Sequence, residues 1–266
     1  MEPISRAKVS RRTFLEGAAA LGAGVTSSLA LAKKVRRFKV CVLGASGTVG
    51  NGILRELLDG GHQVIAVSRS LGKLARIRTQ YGNKNLGTLV GDVASDESGA
   101  VLRDALIAQF GRPDGVVAAL SSPAVDRPIR VLGSSTDLVR QTFDANFYPH
   151  VVAAKALIPG LGPGAVYLGI NGGLPDLVIP GMANLTMTQS ALRSLYLAIE
   201  QEARESKVMV RLLGIFGLVA TSEHPAKDTD HYISDRDVGR RATDILLEPG
   251  QFPSPILAIK ARAFTS

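Results

Sequence analysis

The segment FKVCVLGASGTVG, residues 38–50, contains the strongest signal for the fold of this chain. Its first six residues are mostly apolar, which predicts a short buried strand of a parallel sheet. A turn with glycines at positions 44, 47 and 50 follows, and apolar residues then recur at helical spacing at Ile53, Leu54, Leu57 and Leu58. Strand, glycine-rich turn and helix in this order predict a loop that binds the phosphates of a dinucleotide. A turn with a purely structural role is the alternative.

Each glycine of this loop has a separate expected task. The first allows the tight turn, the second lets the backbone approach the pyrophosphate, and the third lets helix and strand pack closely. The start of the helix adds N–H groups and the positive end of its dipole. The residues expected to bind the cofactor here are Gly44, Ser46, Gly47, Thr48, Val49 and Gly50.

The N-terminal segment predicts an export signal rather than part of the fold. SRRTFL at residues 10–15 is a twin-arginine pattern, an apolar stretch of small residues fills 17–29, and ALA at 30–32 fits a signal-peptidase site. We therefore expect a signal peptide over 1–32, one domain over 33–266, and export of the folded protein to the periplasm. The apolar stretch is short for a stable membrane span. An uncleaved anchor or a wrongly assigned start, with a cytoplasmic protein, is the alternative.

Composition narrows the classes of function. The chain has 266 residues, 45% of them hydrophobic, and a net charge of +8, which fits a single α/β domain with a full core. No basic helix with interleaved aromatic residues is present, which argues against nucleic-acid binding. The single cysteine, Cys41, excludes an intrachain disulfide. The four histidines lack metal-ligand spacing, so no metal site is expected.

Strand and helix patterns alternate along the rest of the chain. Strands are predicted at 63–67, 87–90, 115–120, 164–168, 208–213 and 255–259, and helices at 71–80, 101–110, 136–158, 184–205 and 235–247. This alternation predicts one Rossmann-type, doubly wound parallel sheet of about seven strands with helices on both faces. The loops at 171–182 and 221–234 follow the fifth and sixth of these strands and should form the substrate crevice.

From residue 38 onward the chain resembles the short-chain dehydrogenase/reductase family. Besides the glycine loop, the resemblance rests on Gly91-Asp92-Val93, on Ala118-Ala119-Leu120-Ser121 and on the asparagine of DANFY at 144–148. It implies an oxidoreductase that acts on a carbonyl or alcohol with a nicotinamide cofactor. The positions that it implies are adenine contacts at Asp92 and Val93, support of the cofactor at Ala119, a proton-relay water on the backbone of Asn146, and a carboxamide contact at Thr221.

The residue after the second strand bears on the choice of cofactor. An NAD site would place an acid there, whereas this chain has Arg69. A guanidinium favours the 2′-phosphate of NADP through a charge-assisted contact, so NADP is expected and NAD is less favoured. An ordinary surface arginine near Lys73 and Arg76 is the alternative.

The catalytic positions depart from the family pattern. The family's proton donor is the tyrosine of a Tyr-x-x-x-Lys motif, and the resemblance aligns Leu185 with this tyrosine and Gln189 with the lysine. The family's serine falls at Gly169 or Ile170. Gln189 retains the ability to hydrogen-bond a ribose hydroxyl. Of the family's four usual catalytic residues, only the asparagine is present, at Asn146.

Other polar groups near the expected mouth are weaker candidates. Asn171 is predicted to contact substrate or nicotinamide, or else to cap a turn. His224 and His231 are possible acids, or simply solvated histidines.

Two classes of function remain open. One is an NADP-dependent oxidoreductase with a non-standard catalytic site and a small apolar substrate, since the loop after the fifth strand is rich in leucine, isoleucine and valine. The other is an inactive NADP-binding protein that acts as a sensor or scaffold. By resemblance, the helices at 136–158 and 184–205 would pair in a homodimer or homotetramer, although their spacing also fits ordinary packing on the sheet.

Overall fold

The computed structural model describes residues 36–82, 84–122, 130–177 and 179–265. Residues 37–266 group into one compact unit. The expected signal peptide over 1–32 lies outside the described residues. Within the described ranges, no helix is both long and apolar enough to cross a bilayer.

Seven parallel strands form the central sheet of the described chain. They are β1 (Lys39–Leu43), β2 (Gln63–Ser68), β3 (Leu86–Val90), β4 (Gly115–Ala118), β5 (Val166–Gly172), β6 (Met209–Phe216) and β9 (Ile256–Lys260), in the order β3-β2-β1-β4-β5-β6-β9. A separate short pair, β7 (Leu218–Ala220) and β8 (Tyr232–Ser234), lies outside the sheet. The predicted doubly wound fold is thereby confirmed. Strand order reverses direction between β1 and β4, and this switch point opens the crevice in which such folds bind ligands.

Helices cover both faces of the sheet. They are α1 (Thr48–Asp59), α2 (Leu71–Tyr81), α3 (Asp96–Phe110), α4 (Thr136–Asn146), α5 (Tyr148–Leu157), α6 (Ala183–Glu202) and α7 (Asp235–Leu247). One core cluster joins α3, α5 and α6 to the sheet, and a second joins α1, α2 and α7 to its other face. Alternate strand residues feed the two clusters, for example Cys41 into the first and Val40 into the second. This is the burial pattern of a strand covered on both sides.

Two elements differ from their sequence-based bounds in ways that shape the crevice. Strand β5 continues to Gly172, four residues past its predicted end. The predicted helix over 136–158 is interrupted at Phe147, where α4 ends and α5 begins with Pro149 in its first turn. Proline fits a helix start because its missing N–H would be unpaired there anyway.

Candidate functional site

A cavity of about 1250 Å³ opens at the carboxyl ends of the strands. It is larger than the roughly 300–1,000 Å³ of pockets for drug-sized ligands, which suits an extended dinucleotide with a substrate beside it. The predicted site residues that line it are Gly44, Ser46, Gly47, Thr48, Val49, Gly50, Arg69, Asp92, Val93, Ala119, Asn146, Asn171, Leu185 and Gln189.

The glycine loop has the geometry of a phosphate cradle. Gly44 has φ of +71°, and a Cβ there would lie 2.1 Å from the carbonyl oxygen of Ala119. A Cβ on Gly50 would lie 2.2 Å from the carbonyl oxygen of Gly44. Gly47 precedes α1 and makes no side-chain cap, so the N–H groups of the first helical turn remain available to an anion. The residues present therefore fit a pyrophosphate.

Positive charge and hydroxyl groups surround the end of β2. Arg69 and Lys73 both line the cavity and are exposed. The Ser46 and Ser68 hydroxyls lie 3.4 Å apart, and the Ser70 hydroxyl caps α2 by accepting the N–H of Lys73 at 3.3 Å. Two cations at the start of a helix form a suitable site for a phosphate group.

The end of β3 lies next to the end of β2 and lines the same part of the cavity. Asp92 accepts the backbone N–H of Val93 at 2.8 Å, which fixes the turn that follows the strand. Val93 is buried among the first core cluster while still reaching the cavity. Asp92 and Val93 thus present a carboxylate and an adjacent apolar surface to the cavity.

Asn146 ties the broken helix to the end of β4. Its Oδ1 accepts the backbone N–H of Ser122 at 2.8 Å, and the side chain is buried. Because α4 ends at this residue, the interruption places the start of α5 directly on the cavity wall, where Tyr148 and Pro149 lie.

A buried histidine next to this wall was missed by sequence reasoning. His150 is fully buried, with Nε2 3.0 Å from the carbonyl oxygen of Leu120 and Nδ1 2.9 Å from the hydroxyl of Tyr196. A carbonyl only accepts, so Nε2–H donates to Leu120 and Nδ1 accepts from Tyr196. Burial lowers the pKa of His150 to about 4, so the ring is neutral at physiological pH. Its position among apolar residues of α5 was the available sequence signal, and it indicated a core histidine.

Two amide side chains meet at the opposite end of the cavity, beyond β5. Asn171 Nδ2 donates to the backbone carbonyl of Gln189 at 2.9 Å, and Gln189 Oε1 accepts the N–H of Leu174 at 3.1 Å. These bonds orient both amides. Gln189 lines the cavity, and the bond to Leu174 does not engage its amide nitrogen. Asn171 Oδ1 is buried without a hydrogen-bond partner among those residues.

The extended β5 moves the strand end on which the position of the family's serine was expected. Since the strand ends at Asn171 and Gly172 rather than near Leu168, the strand end falls beyond Gly169 and Ile170. A Cβ on Gly172 would lie 2.5 Å from the Gln189 amide, so the glutamine occupies the space that a side chain there would need. Leu185 lies one helical turn before Gln189 on the same wall.

The remaining predicted polar groups are not brought to the cavity wall. Thr221 Oγ1 accepts the N–H of His224 at 2.9 Å in a turn, and neither residue is among the cavity-lining residues described. His231 is paired with Asp228 at 3.2 Å on the same exposed loop and also lies off the wall. In the described part of the chain, no group of three or more His, Cys, Asp or Glu side chains could hold a metal ion.

The doubly wound sheet, the glycine loop at its switch point and the cavity above it define a nucleotide-binding α/β protein. The sequence profile of the family described as short chain dehydrogenase matches residues 39–230. The chain belongs to that family.

Three similar proteins illustrate the relationship. Over 133 residues the chain is 27% identical to cis-2,3-dihydrobiphenyl-2,3-diol dehydrogenase of Paraburkholderia xenovorans, covering 48% of this chain and 47% of that protein. The chain thus spans about half the length of this curated relative.

Two of the similar solved structures share the fold at low identity. A double mutant of a Serratia marcescens short-chain dehydrogenase/reductase has a TM-score of 0.74 at 17% identity, over 85% of this chain and 97% of that chain. A blue fluorescent protein from a metagenomic library, in complex with NADPH, has a TM-score of 0.71 at 18% identity, over 86% and 99%.

Proposed function

We propose that the protein is an NADP-dependent oxidoreductase that acts on a small apolar carbonyl or alcohol and lacks the tyrosine and lysine usual in its family. The observation that carries this proposal is the shared cavity. The glycine loop, two cations next to β2 and an uncharged end beyond β5 all line one space of about 1250 Å³.

Arg69 and Lys73 support NADP rather than NAD. Both cations line the same cavity as Ser46, Ser68 and the phosphate cradle. The 2′-phosphate of a bound NADP would bind at this place. A charge-assisted contact with a phosphate is about twice as strong as a neutral hydrogen bond. The NADPH complex of the metagenomic blue fluorescent protein, which shares the fold, is consistent with this choice.

The end of the cavity beyond β5 favours an apolar substrate. The described residues that line it include Ile170, Leu185, Leu192, Ile215 and Val219 together with amide and hydroxyl groups, and none of those residues is charged. A charged substrate would lose its hydration there without a compensating partner.

The protein groups at this end can bind and orient but supply no strong acid. Bound NADPH would provide the hydride. The Gln189 amide, held by Leu174, can donate a hydrogen bond to a ribose hydroxyl or to a substrate oxygen, and Asn171 holds the backbone of α6 at this point. Because a positioned acid typically contributes about 10²–10⁴-fold, we expect turnover to be slow for this family.

A second candidate function follows from Leu185 and Gln189 on the cavity wall. An NADP-binding protein that senses the cofactor or serves as a scaffold needs the cradle but no proton donor. The residues beside the cofactor's reactive end would then serve only to hold it.

The two functions are separated by one pair of assays on the purified protein. NADPH binding is followed by fluorescence, and NADPH oxidation is followed with a medium-chain aldehyde and with a carboxylate-bearing aldehyde of equal length. Oxidation with the apolar aldehyde alone supports the proposed enzyme. Binding without oxidation supports the second candidate, and failure to bind NADPH contradicts both.

A further inference from the structure

Tyr148 is an aromatic residue on the cavity wall to which neither the resemblance nor the proposed reaction gives a role. It is the first residue of α5, its side chain lines the cavity, and it is 52% exposed. Large apolar surface left half exposed inside a ligand cavity is commonly covered when the ligand binds.

The packing of α5 on α3 places Tyr148 near the part of the cavity that the turn after β3 lines. Tyr148 and Val152 lie four residues apart on α5, so they share one side of this helix, and both line the cavity. Val152 packs against α3, since its Cγ1 would lie 2.9 Å from a Cβ on Gly99. Tyr148, one turn earlier on the same side, therefore lies toward the N-terminal end of α3 and the preceding loop.

That loop is the turn after β3. It carries Asp92, Val93 and Ala94, all of which line the cavity together with Leu102 of α3. The far end of the cavity, with Asn171 and Gln189, belongs to β5 and α6 on the other side of the strand switch point. Tyr148 and the turn after β3 thus face the same part of the cavity.

The ring of Tyr148 contacts a neighbouring aromatic ring on the protein itself. Its edge-to-face partner is Phe147, at a centroid distance of 5.5 Å and an interplanar angle of 73°, and Phe147 in turn contacts Phe143 at 5.6 Å. A pre-positioned aromatic ring loses little conformational freedom on binding.

We propose that Tyr148 stacks on the adenine base of the bound dinucleotide and so closes the adenine end of the cavity opposite Asp92 and Val93. This inference rests on the proposed NADP binding. Stacking of a base on an aromatic side chain contributes affinity through the ring face alone, so a phenylalanine would serve equally well.

The test compares three ligands that contain different parts of the cofactor. They are NADPH, 2′,5′-ADP, which has the adenosine half, and reduced nicotinamide mononucleotide, which lacks adenine. Dissociation constants are measured by calorimetry for the wild type, Tyr148→Ala, Tyr148→Phe and the control Leu197→Ala. Leu197 is an exposed apolar residue of α6 that is not among the cavity-lining residues described.

We expect Tyr148→Ala to weaken NADPH and 2′,5′-ADP by at least about fivefold and to leave the mononucleotide unchanged. Tyr148→Phe and Leu197→Ala should bind all three ligands like the wild type. Wild-type affinity of Tyr148→Ala for 2′,5′-ADP would overturn the inference, and so would an equal loss for all three ligands, which would indicate a general distortion of the site. If the wild type binds neither NADPH nor 2′,5′-ADP, the proposed function itself fails.

A second readout uses the absence of tryptophan from the chain. Of its five tyrosines, Tyr167 and Tyr196 are fully buried. If Tyr148 stacks on the adenine, saturation with 2′,5′-ADP should quench tyrosine emission in the wild type. The quenching should fall by more than half in Tyr148→Phe. Equal quenching in the two proteins would contradict stacking at Tyr148.

Discussion

Arg69 is the residue at which the choice of cofactor can be tested by a single substitution. Removing its guanidinium takes away one charge-assisted contact with the 2′-phosphate, a contact worth about 1.5–3 kcal/mol. We expect Arg69→Ala to weaken NADPH about 10- to 100-fold while leaving NADH binding unchanged. The measurement is the ratio of the two dissociation constants.

Arg76→Ala is the matched control for this substitution. Arg76 is exposed on the same helix α2 but is not among the described residues that line the cavity. It should keep the wild-type ratio. An equal loss in both arginine variants would point to a general effect of positive charge, which acts over about 10 Å at moderate ionic strength.

Gln189 has two separable tasks at the other end of the cavity. Its Oε1 accepts the N–H of Leu174, and its amide nitrogen is available to a ligand. Gln189→Leu leaves the N–H without its acceptor and should lower the free energy of unfolding by about 1 kcal/mol. Gln189→Glu keeps an acceptor and should retain most of the stability, although both variants should bind NADPH more weakly. Urea unfolding without cofactor measures the first effect, and a leucine variant as stable as the wild type would contradict it.

At the level of single residues, the sequence predicted correctly those glycines that the path of the backbone requires. The glycines at 44 and 50 are required by close backbone contacts, and the spacing of glycines in the motif predicts such contacts. His150 could not be predicted as a partner of Tyr196, because the two are 46 residues apart and meet only through the packing of α5 on α6. The end of β5 was predicted four residues too early, and the position expected for the family's serine depended on that end.

At the scale of elements, α1 and α7 cross at two glycines. A Cβ on Gly239 would lie 2.6 Å from the carbonyl oxygen of Gly52, and a Cβ on Gly52 would lie 2.5 Å from that of Asp235. The helices therefore approach as closely as their backbones permit. Since α1 carries the glycine loop at its start, this crossing also holds the phosphate cradle in position.

Gly239→Ala should separate these helices. The added methyl group meets the Gly52 backbone, which cannot move aside as the nearby Glu56 side chain can, so we expect a loss of about 1–3 kcal/mol in the free energy of unfolding. Gly72→Ala is the control, because its nearest neighbour would lie at an ordinary 3.9 Å. Alanine favours a helix over glycine, so this variant should be neutral or more stable. Chemical denaturation checks both, and a stable Gly239→Ala protein would show that the crossing can relax.

Element types were predictable, whereas the bounds of β5 were not. Gly169, Asn171 and Gly172 are typical of a loop, yet they form the end of a central strand. The reason lies in tertiary packing. A Cβ on Gly169 would lie 2.3 Å from the Tyr196 hydroxyl, and Gly172 accommodates the Gln189 amide in the same way. Glycine at these positions allows the helix to pack closely on the sheet, and the local propensity of a residue for strand or loop does not predict such a contact.

At the scale of the whole molecule, His150 makes stability depend on pH. The folded protein holds its pKa near 4, whereas the ordinary value is 6.5, so the unfolded chain takes up the proton first as pH falls. The free energy of unfolding should therefore decrease as pH falls from about 6.5 to about 4, by up to about 3 kcal/mol from this group. Burial lowers the pKa of His62 as well, which acts in the same direction.

His150→Gln isolates this contribution. Its amide can still donate to the Leu120 carbonyl and accept from Tyr196, but it does not titrate. Urea unfolding at several pH values should show that the free energy of unfolding depends less on pH in the variant than in the wild type between pH 6.5 and 4. The contribution of His62 to this dependence should remain. Identical slopes for the two proteins would contradict the buried neutral histidine.

A titration of the purified protein with NADPH tests directly whether the cavity binds this cofactor. Binding is followed by nicotinamide fluorescence and by the thermal midpoint of unfolding. We expect saturable binding at one site per chain, a rise in the midpoint with NADPH concentration, and weaker binding of NADH. No saturation and no shift of the midpoint at millimolar NADPH would contradict the assignment of the cavity to this cofactor.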